Sequence, residues 1–298
     1  MADLGAMRSV LEQDTGTALA TPACDLLRPD KPGAPVVFAS PHSGSIYPAD
    51  LVDKLRVPLI DLRRTEDAFV DELFAHAPDA GASFLTANYA RAYVDLNRDA
   101  RELDANMFAD GLPRQAGLPG VRVKAGLGCL PRIGAGAREI YATPITRIEG
   151  ARRLDLIHDV YHQTLSHELS RLGQSAPETV LIDCHSMPSA QPGRGTAPDI
   201  VLGDRFGSSC TSKLTSLVER CFRQAGYSVS RNAPYAGGYT TRRYGRPRRG
   251  VHVLQIEVNR ALYLDEQSVE KSYDFQETKR IIDSIIDAIV AFAQRELR

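Results

Sequence analysis

Two histidines and one glutamate lie at the ends of three separate apolar runs in this sequence. His42 follows VVFASP, His185 follows VLIDC, and Glu257 lies within VHVLQIEVN. Such runs are typical of strands buried on both faces, and chemistry in open α/β sheets collects where those strands end. Histidines held on such a scaffold are well placed to bind a metal ion. From spacing alone, the alternative that both histidines only hydrogen-bond to the backbone at loop starts stays open.

A carboxylate is the expected third ligand, because a hydrolytic zinc takes three protein ligands and leaves one position for water. The segment RTEDAFVDE offers four acids, namely Glu66, Asp67, Asp71 and Glu72. Such charges also suit the first turn of a helix, so this cluster alone selects no ligand. Glu257 stands between Ile256 and Val258, where a carboxylate should be paired or functional. Asp183 shares the strand of His185 and is a candidate to orient its ring.

A second histidine pair competes for a metal. His158 and His162 are four residues apart in DLIHDVYHQ, a workable spacing on a helix. The glutamate of the HExxH motif is missing, and Asp159 stands in its place. We therefore interpret this pair as structural or surface residues.

Clustered cations indicate an anionic ligand. Asn97 and Arg98 end the segment VDLNRD, and one glycine-rich segment holds five arginines, namely Arg242, Arg243, Arg246, Arg248 and Arg249. The guanidinium fork suits carboxylates and phosphates. Such a cluster could also bind RNA, but interleaved Gly, Tyr and Pro and a net charge of −1 favour a small anionic substrate over nucleic acid.

Composition indicates a soluble globular protein without membrane or nucleic-acid partners. The 298 residues are 43% hydrophobic and 24% charged, with 36 basic against 37 acidic side chains. No run approaches the roughly 18 apolar residues of a membrane span. The five cysteines are scattered and form no CxxC motif, which is typical of a reducing compartment, so we expect a cytoplasmic location.

Alternating apolar patterns predict an α/β domain over residues 1–298. Predicted strands are 36–39, 82–87, 90–96, 179–182, 199–202, 227–230 and 251–259; predicted helices are 61–77, 149–172, 208–225 and 275–297. This order indicates a mixed, mainly parallel sheet with helices on both faces. Three segments lack a regular pattern: an extended lead-in at 1–30, a long loop or lid at 100–146, and an Arg/Gly-rich loop at 231–250.

Six motifs in this order resemble the N-formylglutamate amidohydrolase family. They are PHSG, TEDAFVDELF, YARAYVDLNRD, LIDCHSMPS, NAPYAGGYTTRRYG and GVHVLQIEVNRALYLDE, between about Val36 and Glu266. The resemblance implies a three-layer α/β/α fold like that of zinc carboxypeptidases and aspartoacylases, the phosphorylase/hydrolase-like class. It also implies zinc-dependent hydrolysis of N-formyl-L-glutamate to formate and L-glutamate, a step of histidine degradation.

The resemblance also assigns roles to individual residues. It makes two histidines and one acid the ligands of one Zn²⁺, namely His42, His185 and Asp67; Co, Mn or Fe could occupy the same ligands. Carboxypeptidase-like sites place the acid three positions after the first histidine, where this chain has Ser45. The acid must therefore come from the next helix, and Asp67 fits the family pattern better than Glu66. Glu257 becomes the general base, and the substrate-binding residues are Asn97, Arg98, Thr240, Arg242 and Arg243.

Two other functions stay open at this point. The chain could be a deacylase for another N-acyl amino acid, or a carboxypeptidase-like amidase, since pocket depth is not visible in a sequence. A silent member that binds an anionic metabolite or RNA through its arginines is the alternative outside enzymes. The presence of both histidines and Glu257 favours an enzyme.

Overall fold

The computed structural model describes residue 19 and residues 21–31, 33–191 and 195–296. Proximity of Cα atoms divides the chain into two compact units. The smaller unit combines Gly44–Glu66 with Ala87–Tyr161 and the described residues up to Cys24. The larger unit combines Asp25–Ser43, Asp67–Thr86 and the chain from His162 onward. The organisation of residues 1–298 as a single domain stays a prediction.

Within the described ranges, seven strands form one sheet and four short strands form two further pairs. The sheet contains β1 Cys24–Leu27, β2 Val36–Ser40, β3 Ser83–Ala87, β4 Thr179–Met187, β7 Ile200–Gly203, β8 Val229–Arg231 and β9 Val251–Asn259; the pairs are β5 Ala190–Gln191 with β6 Gly195–Thr196 and β10 Leu264–Asp265 with β11 Glu270–Lys271.

The order across the sheet is β1-β3-β2-β4-β9-β7-β8. Strand β2 is parallel to β3 and β4, β4 is parallel to β9, and β8 is parallel to β7. Strand β7 is antiparallel to β9, so the sheet is mixed and mainly parallel, as predicted. The central strands β4 and β9 are almost entirely buried, which explains why apolar residues occupy positions on both faces of each strand.

Helices flank this sheet. The helices along the chain are α1 Ala49–Val52, α2 Leu59–Arg63, α3 Val70–Leu73, α4 Val121–Lys124, α5 Arg147–Arg153, α6 Asp159–Gly173, α7 Ser212–Gln224, α8 Tyr239–Tyr244 and α9 Phe275–Glu296. The predicted helices at 208–225 and 275–297 are confirmed as α7 and α9, which pack on each other through their apolar stripes. The predicted α/β/α class is confirmed. None of the helices in the described ranges is long and apolar enough to cross a membrane.

The predicted helix at 149–172 is confirmed with one irregularity. A capping box between Thr146 and Glu149 starts α5, because each residue satisfies a backbone N–H of the other. A π-helical turn, Leu154–His158, joins α5 to α6. Such turns insert one residue into the helical ladder.

The helix predicted over 61–77 is wrong as a single element. Helix α2 ends at Arg63 and α3 begins only at Val70. Between them the backbone N–H of Asp67 donates to the carbonyl of His42 at 3.0 Å, and Phe69 has a left-handed φ of 62°. A contact distant in sequence therefore replaces the local helical hydrogen bonds.

The strand predicted over 90–96 is also wrong, because this segment forms turns. The Asp95 carboxylate accepts the N–H of Asn97 at 2.9 Å, and the Asp95 N–H donates to the Cys129 carbonyl. Side-chain bonds of this kind offer the backbone an alternative to a strand ladder.

The irregular segments contain more structure than predicted. Residues 100–146 hold α4 and two 3₁₀ turns, Ala105–Met107 and Ala135–Ala137. The loop predicted over 231–250 contains the six-residue helix α8, which the glycines at 237, 238 and 245 flank. The lead-in predicted over 1–30 lies mostly outside the described residues, and its described part includes β1.

Candidate functional site

His42, Asp67 and His185 converge in the larger unit. His42 follows β2, His185 lies near the end of β4, and Asp67 precedes α3. One ligand atom from each residue lies within 4.8 Å of the other two. Asp67 Oδ2 is 2.9 Å from His185 Nδ1 and 3.4 Å from His42 Nδ1. The two imidazole rings meet edge to face, with their centroids 4.8 Å apart.

The donor set of this cluster fits a divalent metal ion. Two imidazole nitrogens and one carboxylate oxygen are the ligands that catalytic zinc sites use with a water in the fourth position. All three side chains are buried, and buried ionisable groups occur in proteins when they are paired or coordinate a metal. The cluster therefore satisfies the chemical requirements for holding such an ion.

Asp183 lies next to the Nε2 atom of His185. Its Oδ1 atom lies 3.1 Å from His185 Nε2, and its side chain is buried. Burial would lower the pKa of His185, but the carboxylates of Asp183, Asp67 and Glu257 outweigh it and hold that pKa well above its ordinary value. A carboxylate at Nε2 also fixes the ring with Nδ1 toward Asp67, as second carboxylates do at metal-binding histidines.

Arg260 holds the other oxygen of Asp67. Its Nη2 donates to Asp67 Oδ1 at 3.0 Å, and its Nε donates to Ser186 Oγ at 3.1 Å. The side chain is only 7% exposed, so this charged pair has little contact with water. Sequence reasoning missed this residue. The available signal was its position directly after the buried strand β9, where a cation needs a partner.

Glu257 lies beside His185. The two residues are in register on the neighbouring parallel strands β4 and β9. Glu257 is buried, and Gln255 Nε2 donates to its Oε1 at 2.8 Å. The catalytic role of Glu257 stays a prediction.

Glu66, the alternative ligand, has other partners in the smaller unit. The hydroxyl of Tyr47 donates to Glu66 Oε1, and Arg63 Nε lies 3.7 Å from the same oxygen. The acid in the cluster with the two histidines is Asp67.

Asn97 and Arg98 lie in the smaller unit. Arg98 Nη1 donates to the Asn97 carbonyl at 2.8 Å, and Arg98 Nε donates to the Leu127 carbonyl at 3.2 Å. The Arg98 carbonyl lies 2.9 Å from His158 Nε2. These contacts order the segment, and its role at a substrate stays a prediction.

The competing pair, His158 and His162, contacts protein groups. His158 meets the Arg98 carbonyl, and His162 Nδ1 lies 2.9 Å from the Tyr244 hydroxyl. The ring of His162 also stacks on Tyr244 and meets Tyr239 edge to face. Both residues therefore have structural contacts of the kind predicted for them.

Helix α8 carries the three loop residues predicted to bind substrate. Thr240 is buried, whereas Arg242 and Arg243 are exposed. Arg243 Nη1 donates to the Tyr239 hydroxyl at 2.5 Å. Arg243 also lines a cleft with the first residues of β4 and β9, at the opposite ends of these strands from His185 and Glu257. The substrate role of all three residues stays a prediction.

A family model described as N-formylglutamate amidohydrolase matches residues 34–264 of this chain. The chain belongs to this family. The matched range includes His42, Asp67 and His185 of the cluster, and Glu257 beside it. Membership of the N-formylglutamate amidohydrolase family makes the chain an amidohydrolase.

Three family relatives show how far the likeness extends. An N-formylglutamate deformylase of Pseudomonas aeruginosa is 30% identical over 271 residues, which cover 87% of this chain and 94% of that protein. One of Pseudomonas putida is 29% identical over 268 residues, covering 87% and 93%. The crystal structure of N-formylglutamate amidohydrolase from Ralstonia eutropha is 32% identical, with a TM-score of 0.86, and the match covers 93% of this chain and all of that one.

Proposed function

We propose that this chain hydrolyses N-formyl-L-glutamate to formate and L-glutamate with the help of one bound Zn²⁺. The observation that carries the proposal is the buried cluster His42–Asp67–His185 with Glu257 in register beside it. The deformylase relatives supply the substrate. Formate and glutamate are products that fit a late step of histidine degradation.

His42 Nδ1, His185 Nδ1 and Asp67 Oδ2 would hold the metal. When bound, such an ion lowers the pKa of a water ligand towards ~7 and polarises a carbonyl oxygen. Asp183 and Arg260 act on the ligands themselves. Asp183 fixes the ring of His185 through Nε2, and Arg260 holds Asp67 through Oδ1.

Glu257 is the proposed base. Its carboxylate takes a proton from the attacking water while a C–O bond forms at the formyl carbon and the C=O π electrons move onto the carbonyl oxygen. It then delivers that proton to the glutamate nitrogen while the C=O bond re-forms and the C–N bond breaks. The buried position of Glu257 limits competing water around the carboxylate. This single carboxylate therefore serves both proton transfers of the reaction.

The two carboxylates of the substrate need cationic partners. Arg98, with Asn97 beside it, and Arg242 on α8 are the proposed residues, because Arg243 lines the cleft at the opposite ends of β4 and β9. Arginine suits this task because its planar fork binds a carboxylate through two hydrogen bonds and so sets orientation as well as charge. Orientation matters because it places the amide for attack.

A substrate panel tests the proposal. Formate or acetate release is measured with N-formyl-L-glutamate, N-formyl-L-glutamine and N-acetyl-L-glutamate. We expect the highest kcat/KM for N-formyl-L-glutamate, because the second carboxylate is absent from the glutamine analogue. A clear preference for the acetyl compound would contradict the proposal and support a deacylase. No turnover of N-formyl-L-glutamate by metal-loaded protein would contradict the proposed reaction.

A further inference from the structure

Gln255 forms a bridge between the proposed base and helix α8. It lies two residues before Glu257 in β9, so both side chains project from the same face of the strand. Its Nε2 donates to Glu257 Oε1 at 2.8 Å, and its Oε1 accepts the backbone N–H of Gly238 at 2.9 Å. The side chain is 3% exposed. Both ends of this amide are therefore used inside the protein.

The two partners fix the direction of the amide. A backbone N–H can only donate, so the amide oxygen must face Gly238. An ionised carboxylate can only accept, so the NH₂ group must face Glu257. In the flipped orientation, the NH₂ group would face the Gly238 N–H, and the amide oxygen would face the Glu257 carboxylate. The orientation of Gln255 is thus set by hydrogen-bond chemistry as well as by geometry.

The chain at Gly238 is held in place from several sides. Gly203 of β7 is in register with Gln255, and a Cβ on Gly203 would lie 2.9 Å from the Gly237 nitrogen. Gly237 has a φ of 122°, which favours glycine. The Thr241 hydroxyl donates to the Gly238 carbonyl at 2.9 Å. Gly238, whose N–H the Gln255 oxygen accepts, is therefore held in a defined position next to the sheet.

We propose that Gln255 is a positioning residue that orients the Glu257 carboxylate and joins it to the start of α8. This inference rests on the proposed deformylase function, in which Glu257 is the base and α8 carries the proposed substrate-binding residues Thr240 and Arg242. An amide suits the task, because its NH₂ group donates to the carboxylate while its oxygen accepts from the backbone, so one side chain connects both groups.

The same bridge connects the proposed base with the helix proposed to bind the substrate. Loss of the bond to Glu257 misplaces the proton acceptor, and a displacement of about 1 Å can cost on the order of 100-fold in rate. Loss of the bond to Gly238 releases the start of α8, which acts on substrate binding. A variant without either bond should therefore change kcat strongly and KM as well.

The test compares Gln255→Met with wild type and with a control, His252→Met, all as metal-loaded full chains. Methionine keeps the length of glutamine without its polar ends. His252 is a matched control because it also lies in β9, is buried, and bridges the Thr211 N–H and Glu178. Formate release from N-formyl-L-glutamate, metal content and Tm are measured on the same samples.

We expect Gln255→Met to keep its metal and lose about 10- to 100-fold in kcat, with KM raised several-fold. His252→Met should lose stability and keep kcat within about twofold. A kcat of Gln255→Met within twofold of wild type would overturn this inference alone. A loss explained fully by lost metal, or matched by His252→Met, would overturn it too. No formate from wild type would overturn the proposed function, and this inference with it.

Discussion

The backbone N–H of Asp67 donates to the carbonyl of His42 at 3.0 Å. This bond ties the chain before α3 to the end of β2, and it brings the Asp67 carboxylate to the Nδ1 atoms of His42 and His185. Backbone contact thus places the acid, and Arg260 fixes its second oxygen. Contacts within the protein therefore orient the acid of the cluster.

Asp67→Asn should remove metal binding, whereas Glu66→Gln should not. The asparagine keeps the size of the side chain and loses the anionic ligand, so we expect metal affinity to fall on the order of 100-fold or more. Metal content after dialysis and titration with a chromophoric chelator measure this change.

The neighbouring Glu66→Gln variant is the matched control. It weakens the bond from the buried Tyr47 hydroxyl, which should cost about 1–3 kcal/mol in the free energy of unfolding and leave metal affinity intact. Retained metal in Asp67→Asn together with lost metal in Glu66→Gln would show that the ligand is Glu66.

Arg260→Met should weaken metal binding without removing a ligand. The carboxylate of Asp67 would lose the donor that fixes its orientation, and losses of this kind typically cost about 10- to 100-fold in metal affinity. Arg260→Lys should retain part of the affinity, because it keeps a cation without the fork. Competition with a chelator gives both values, and an Arg260→Met affinity equal to wild type would disprove the positioning role.

Glu257→Gln should retain the metal and lose turnover. The amide cannot take the proton of the attacking water, so we expect kcat to fall by about 10²- to 10⁴-fold. Glu178→Gln is the control, because Glu178 precedes β4 at the opposite end from His185 and its variant should keep kcat within about twofold. Formate release measures both, and substantial activity in Glu257→Gln would require another base.

Glu168 should stabilise the fold in a pH-dependent manner. Burial would raise its pKa, but hydrogen bonds from Arg171, Arg28 and Ser83 outweigh this effect and lower the pKa to about 2. Its unfolded pKa is about 4.3. A group whose pKa is depressed on folding stabilises the protein fully above the unfolded value and loses that effect as pH falls towards the folded value.

Thermal unfolding of wild type and Glu168→Gln between pH 7 and pH 3 tests this account. We expect the variant to be less stable by about 1–3 kcal/mol at pH 7, because three donors lose their ionised acceptor. The difference should shrink below about pH 4.3. A difference that stays constant across this range would show that the charge of Glu168 contributes nothing.

The sequence predicted those parts of the fold and site that depend on local pattern. Strands β4 and β9 carry apolar residues on both faces, and His185 and Glu257 near their ends are in register. Helices α7 and α9 show their apolar stripes directly in the sequence. An element whose apolar pattern matches the face that it buries can be placed from sequence alone.

The remaining features depend on contacts that are distant in sequence. The break between α2 and α3 follows from the bond between Asp67 and His42, which no helical pattern reveals. Arg260 resembles an ordinary charged residue after a strand until its bonds to Asp67 and Ser186 are seen. Such partners become visible only when the strands are assembled.

The most direct test of the central claim is a joint measurement on purified wild type and His185→Ala. Metal per chain and formate release from N-formyl-L-glutamate are determined on the same samples. We expect about one metal ion per chain and formate release in wild type, with both lost in the variant. Wild-type protein that neither binds metal nor gains activity on addition of Zn²⁺ would contradict it.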